Sequence, residues 1–191
     1  MVFANLRGKR INLIPISKDG LADMHEYSIK SEFYRYLEYK PFKTVEETKR
    51  YLEKLIEITK SKTGHYWFIV LKGENKIIGT FGVVNIDRKR RSAEIGYGVS
   101  PAYWGQGYFS EALMMVLKHL FIDLRFHRIF AKTRPDNLAS IEGLEKAGLK
   151  KEGVMRDFYL SSNGRRYDAA VFSILRDEFL KDYKNLEGSK K

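Results

Sequence analysis

The sequence predicts an α+β fold built on a central mixed, twisted β-sheet, and three observations predict it. The front of the chain is mainly helical, the apolar period shortens to that of strands from about residue 65, and helices and strands alternate from 107 onward. Helices first, then a strand meander, then β-α-β-α-β, argue for one sheet with helices packed on it. Six to seven strands and about four helices are expected in one domain over residues 1–183, with 184–191 as a flexible tail.

The elements follow in order. "KRINLIPI" at 9–16 reads as a first strand, and Ser17 then caps a helical stretch to about residue 30. "SEFYRYLEYKPF" is an aromatic-rich connection. Thr44 with Glu47 three residues on forms a capping-box signature before the charged amphipathic helix "VEETKRYLEKLIEITK". "HYWFIVLK" and "KIIGTFGVVNI", rich in aromatic and β-branched residues, are strands joined by the turn "GEN", and "RSAEIGYGV" is the next strand. A helix begins near Gly107, because Phe109, Leu113, Val116, Leu117, Leu120, Phe121 and Leu124 recur at steps of three and four. The strand "HRIFAKT", a helix from Asn137 to Ala147, and strands near 149–160 and 168–176 around "SSNGRR" complete the chain. Gly148 reads as a left-handed helix terminator, with Leu149 folding back on Leu144.

Composition narrows the chemistry. The 191 residues contain no cysteine, which excludes disulfides, thiolate metal sites and cysteine nucleophiles and suits a reducing cytoplasm. No apolar run approaches the ~18 residues of a membrane span, and the N-terminus lacks the apolar core of a signal peptide. A cytoplasmic protein without a membrane partner is expected. Thirty-five Lys and Arg against 24 Asp and Glu leave a charge of +11, which attracts anionic ligands, acidic proteins or nucleic acid without choosing among them. His25, His65, His119 and His127 show no metal spacing, so no metal is expected and the histidines read as structural.

The chemistry concentrates in "SPAYWGQGYFSEALMMVL", residues 100–117. Two glycines stand at the start of a strong helix, where unpaired backbone N–H groups and the positive helix dipole make a site for an anion, most often a phosphate. Known phosphate motifs fail by spelling. Gly96-Tyr97-Gly98 lacks the third glycine of a dinucleotide fingerprint, and no Gly-Lys-Ser/Thr of a P-loop occurs.

"YWGQGYFSEA" between a strand and a helix, followed at matching separations by "NLASIEGLEKAGLKKEGVMRDFYL" and "NGRRYDAAVFSIL" and preceded by "AEIGYGVSP", resembles the GNAT superfamily of acyl-CoA-dependent N-acetyltransferases. Within it, these segments are similar to the branch that acetylates ribosomal-protein N-termini. The resemblance implies acetyl-CoA as co-substrate, its pyrophosphate held by backbone amides of Trp104, Gly105, Gln106, Gly107, Tyr108, Phe109 and Ser110. It also implies a sheet splayed between the fourth and fifth strands, where the pantetheine arm pairs with the strand carrying Gly96 and Gly98; an ordinary bulge is the other reading of those glycines. Phe109 departs from the family pattern, which has a small residue there. Its ring is expected to turn into the helix's apolar face with Leu113 and Val116.

Acetyl transfer to an amine needs a base, a donor for the oxyanion and a proton for the departing thiolate. By resemblance Glu94 matches the base of some members, its alternative being a surface strand charge. The N–H of Gly98 or Val99 serves the oxyanion. The family's usual tyrosine acid is replaced by Leu144, and Ser140, one turn earlier on the same face, matches the serine given that role in the ribosomal branch. A helix serine bonding its own backbone is the alternative. Asn137 reads equally as an N-cap and as a cofactor hydrogen-bond partner. Phe33, Tyr34 and Tyr36 are the candidates for the acceptor wall. The expected acceptor is a primary amine, first a protein N-terminus, with a small-molecule amine such as a polyamine or amino sugar second and a non-catalytic CoA-binding module third. An anionic or ribosome-associated partner and a homodimer are compatible with the resemblance.

Overall fold

Alternation along the strands builds two apolar layers on one sheet. In the computed structural model, which describes residues 3–188 with side chains to Tyr183, β1 (Leu6–Arg7), β2 (Ile11–Pro15), β3 (His65–Leu71), β4 (Lys76–Asp87) and β5 (Ser92–Val99) form an antiparallel meander. β6 (Arg128–Thr133) joins β5 in parallel, and β7 (Lys150–Leu160) and β8 (Arg166–Leu175) finish the order β1-β2-β3-β4-β5-β6-β8-β7. Trp67, Ile69 and Leu71 on β3 face one core with Ile11, Leu13, Phe81 and Val83, while Phe68 and Val70 face the other.

Helices cover both faces. α1 (Leu21–Ser28) and α2 (Val45–Lys60) close the smaller layer through Met24, Tyr27, Leu52 and Leu55. The predicted capping box at the start of α2 is present, with Thr44 Oγ1 accepting from Glu47 N–H at 3.2 Å and the Glu47 carboxylate accepting from the Thr44 N–H. α3 (Tyr108–Lys118) buries Ala112, Leu113, Val116 and Leu117 in the larger core and runs into a π-helical turn over His119–Asp123. α4 (Leu138–Lys146) and α5 (Arg176–Gly188) lie on the same side. Gly148 has φ +89°, and Leu149 N–H donates to Leu144 C=O at 3.0 Å, as its terminator role predicts.

Among the described residues the sheet has eight strands rather than six or seven. The extra one is two residues of β1, too short to carry a period. Among the described residues there are five α-helices, because "RDEFLKDYKNLEG" forms α5 around the buried Phe179; its spacing of Phe179, Leu180 and Tyr183 is a helical signal. The tail expected at 184–191 therefore begins inside a helical backbone that runs to Gly188, and 189–191 lie outside the described residues. Ser17 stands before a 3-10 turn over Lys18–Gly20 and makes no side-chain cap. No helix among the described residues is long and apolar enough to cross a membrane.

His65 illustrates the cost of burying a titratable ring. It is stacked on Phe3 at 4.5 Å between ring centres, edge-on to Trp67 at 4.3 Å, and its Nε2 has no hydrogen-bond partner among the described residues. Burial, and then the nearby His119, push its pKa from 6.5 down to about 4. The fold therefore favours the neutral ring: this stabilisation is whole above pH 6.5 and is lost as pH falls toward 4. In urea unfolding, the wild type should lose more stability across that window than His65→Phe. Equal pH slopes for the two proteins would show that His65 titrates freely in the folded state.

Candidate active site

The sheet opens between β5 and β6, at the splay that the family resemblance implies. β5 pairs with β6 only from Ser92–Arg128 to Glu94–Phe130; beyond that β5 stays with β4 up to Val99, and β6 stays with β8 up to Thr133. Backbone along the outer edge of 95–99 thus faces a gap. Ser100 N–H donates to Ile78 C=O on the β4 side, so strand alternation turns the Val99 N–H toward the gap and the Gly98 N–H toward β4. Of the two N–H groups expected as oxyanion donors, that of Val99 is the one that faces the gap. A side chain at Gly96 would meet nothing within 4 Å, whereas one at Gly98 would lie 2.7 Å from the Phe33 ring.

Beyond β5 the chain makes a 3-10 turn over Pro101–Tyr103 and enters the glycine loop. Gly105 (φ +72°) and Gly107 (φ +79°) both hold left-handed backbone, which L side chains rarely adopt. Gly107 caps α3 without any side-chain hydrogen bond, and the first helical bond, Glu111 N–H to Gly107 C=O, is 3.1 Å. The N–H groups of Tyr108, Phe109 and Ser110 precede it. An α-helix end left uncapped by side chains, behind two glycines, fits a diphosphate. The side chains of Trp104 and Gln106 serve the loop itself: Trp104 Nε1 donates to Val99 C=O at 2.7 Å and Gln106 Nε2 to Ala102 C=O at 3.1 Å.

A pair of hydroxyls stands deeper in the site. Ser140 is buried, and its Oγ lies 2.6 Å from the Tyr97 hydroxyl rather than on its own backbone. Asn137 Oδ1 accepts from Ser140 N–H at 3.3 Å, so Asn137 does cap α4. Burial pushes the Tyr97 hydroxyl well above the ordinary phenol range, with the Ser140 hydrogen bond acting the other way. The Phe109 ring packs on Tyr97 at 4.1 Å between centres and over Gly143 of α4, where any Cβ would overlap it. The ring leaves the loop for the interior as expected and packs on the core that holds Leu113 and Val116, with Tyr97 and Gly143 of α4 against it.

Glu94 marks the point of divergence of β5 and β6. It accepts from Asn85 Nδ2 at 2.7 Å and pairs with Lys132 Nζ at 3.1 Å. Both Asn85 and Lys132 come from neighbouring strands, and Asn85 sits at positive φ inside the break of the β4–β5 register.

Residues 10–150 match the acetyltransferase (GNAT) domain model. The chain belongs to the GNAT acetyltransferase family. It is 30% identical over 171 residues to the Bacillus licheniformis protein named uncharacterized N-acetyltransferase p20, covering 90% of this chain and 96% of that one. It is 34% identical over 145 residues to the uncharacterized N-acetyltransferase YoaA of Bacillus subtilis, covering 76% and 81%. Among solved structures, a GNAT-family acetyltransferase from Bacillus anthracis superposes with a TM-score of 0.80 at 26% identity, covering 91% of this chain and 99% of that one. As a GNAT acetyltransferase the chain uses acetyl-CoA, and its α3 N-terminus and the β5 edge are the surfaces that fit it.

Of the GNAT acetyltransferase's expected acceptor wall, Phe33 covers Gly98 at the gap. Tyr34 is buried, packed on Phe33 at 5.2 Å and Phe42 at 5.8 Å, and supports that wall from behind. Tyr36 faces the Arg134 guanidinium at 5.6 Å; the same guanidinium lies 3.5 Å from the Tyr167 ring and pairs with Asp136. Tyr36 thereby ties the connection after α1 to the β6–α4 turn. Sequence reading misses Tyr97, although its place between Gly96 and Gly98 turns it to the opposite sheet face, toward α3 and α4. It also misses Tyr159 and Glu38. The Tyr159 hydroxyl is pushed well above its ordinary range by burial first, then by Glu94 and Glu38.

Proposed function

We propose that the acceptor of this acetyltransferase is a protein N-terminal α-amine. The observation that carries the reading is the pairing of two carboxylates with an open apolar strand. Glu94 and Glu38 both act on the Tyr159 hydroxyl, and Glu38 accepts from Leu160 N–H at 2.9 Å. Lys132, which pairs with Glu94, lies 4.5 Å over the Phe158 ring. Phe158 and Leu160 are exposed on β7, the last strand of the sheet. An α-ammonium attracted by the carboxylates would have its following residues along the exposed side chains of Phe158 and Leu160.

The chemistry then divides among named groups. Glu94, or a water held on it, takes the proton from the ammonium; the Val99 N–H meets the developing oxyanion; the Ser140–Tyr97 pair delivers a proton to the departing sulfur. Glu94 must share its negative charge with Lys132 and Asn85 while doing so, which favours the water-mediated form.

Relatives supply two acceptor classes. A protein named putative ribosomal N-acetyltransferase YdaF of Bacillus subtilis is 28% identical over 106 residues, and the spermidine N(1)-acetyltransferase of Vibrio cholerae is 22% identical over 172. The two carboxylates also suit a polyamine, whereas the overall charge of +11 repels one. Thiol release from acetyl-CoA, followed with N-terminal peptides, spermidine and amino sugars, separates the classes. Peptides, acidic ones above all, should react with the highest kcat/KM, and that value should fall with salt more steeply than CoA affinity does. Preference for spermidine would replace this reading with the polyamine one.

A further inference from the structure

We propose that Arg10, at the turn before β2, is a positioning residue for the diphosphate-binding loop. It stands 96 residues before Gln106 in the chain, yet four of its contacts end in that loop and the first turn of α3. Its Nη1 donates to Gln106 C=O at 2.7 Å and its Nε to Glu111 Oε2 at 2.9 Å, while its own backbone N–H donates to Glu111 Oε1 at 2.7 Å. Its guanidinium lies 4.6 Å over the Tyr108 ring.

The Gln106 bond sets the direction of the loop amides. In a planar trans peptide the C=O and the following N–H point opposite ways, so a Gln106 carbonyl drawn toward Arg10 turns the Gly107 N–H away from it. That N–H joins those of Tyr108, Phe109 and Ser110 on the anion-binding side. Glu111, in the first turn of α3, would otherwise set a negative charge near the same anion. Its carboxylate is instead enclosed: Ile11 N–H adds a third donor at 3.3 Å, and a Cβ at Gly8 would stand 2.7 Å from Oε1. Burial favours its neutral form, but the bonds from Arg10 and Ile11 outweigh this and hold it below the usual carboxylate range. Arg10 Nη2 completes the clamp beside Gly107, 3.3 Å from where a Cβ would stand.

The test uses the full chain and reads the co-substrate alone, so its outcome is independent of the acceptor class. Arg10→Ala and Arg10→Lys are compared with wild type by calorimetry with CoA, by kcat and KM for acetyl-CoA, and by thermal melting. Loss of charge-assisted bonds that orient the loop should raise Kd and KM in Arg10→Ala by about 10-fold or more, with kcat changed by no more than about 2-fold. Lysine keeps the charge but not the planar fork, and should recover only a minor part of the loss. Wild-type CoA affinity in a folded Arg10→Ala, or full recovery in Arg10→Lys, would overturn positioning in favour of packing or simple charge. If the alanine variant fails to fold, Arg10→Lys decides by itself: weakened CoA binding supports the clamp, and wild-type binding overturns it.

Discussion

Alanine at position 140 should lower kcat by about 10²–10⁴-fold while KM for acetyl-CoA changes little, the range expected when a positioned general acid is removed. A thiolate must leave, and by the family resemblance Leu144 stands where many relatives carry the tyrosine that would protonate it. Ser140 stands one turn before Leu144, buried, with its hydroxyl 2.6 Å from that of Tyr97. Burial keeps the phenol protonated, so it can donate a hydrogen bond to the serine oxygen and steady the charge left there when the serine O–H proton goes to the sulfur. Tyr97→Phe should therefore also lower kcat, by less than Ser140→Ala. Because Ser140→Ala leaves the Tyr97 hydroxyl without its partner, a stability loss of about 1–3 kcal/mol should accompany the kinetic effect. Stopped-flow thiol release beside thermal melts separates the two. If Ser140→Ala melts lower yet turns over normally, the serine is a packing group and the proton comes from elsewhere.

Gly107→Val should reduce CoA affinity by about 10- to 100-fold or more, from two independent causes. A β-branched residue at φ +79° is strained by about 1–3 kcal/mol, and relief of that strain rotates the amides that face the diphosphate. Its Cβ would also press on Arg10 Nη2, 3.3 Å away. Calorimetry with CoA on a variant shown to be folded is the measurement. Unchanged affinity would mean that the diphosphate is held somewhere other than the start of α3.

Most of the fold is legible in the sequence because its signals are local. The Thr44–Glu47 box, the three-four spacing of α3, the strand meander and the Gly148 terminator are each encoded within a few residues of where they act, and the fold contains all of them. The glycine loop is legible for the same reason. β1 is two residues long and has no period, and α5 follows β8 directly, with no turn residues to announce it, although its apolar spacing is helical. In the site, the residues that sequence leaves unmarked depend on partners far along the chain. Tyr97 meets Ser140 across 43 residues, Arg10 meets Glu111 across 101, and Leu160 meets Glu38 across 122. Nothing in the neighbourhood of those residues singles them out. Ser140, Glu94 and the splay come from family resemblance, which carries three-dimensional information that local patterns lack.

The contact between Phe109 and Gly143 ties two distant positions into one choice. A side chain at 143 has no room while the ring is present, and a small residue at 109 would leave a void beside Tyr97. Neither position is free to drift alone: a methyl added at 143 is harmful with Phe109 and harmless, even space-filling, without it. A sequence that carries the bulky loop residue is therefore committed to glycine on the facing helix. Any history that exchanged this pair for the family's small residue at 109 had to change 109 first and tolerate a loosened Tyr97 until 143 followed.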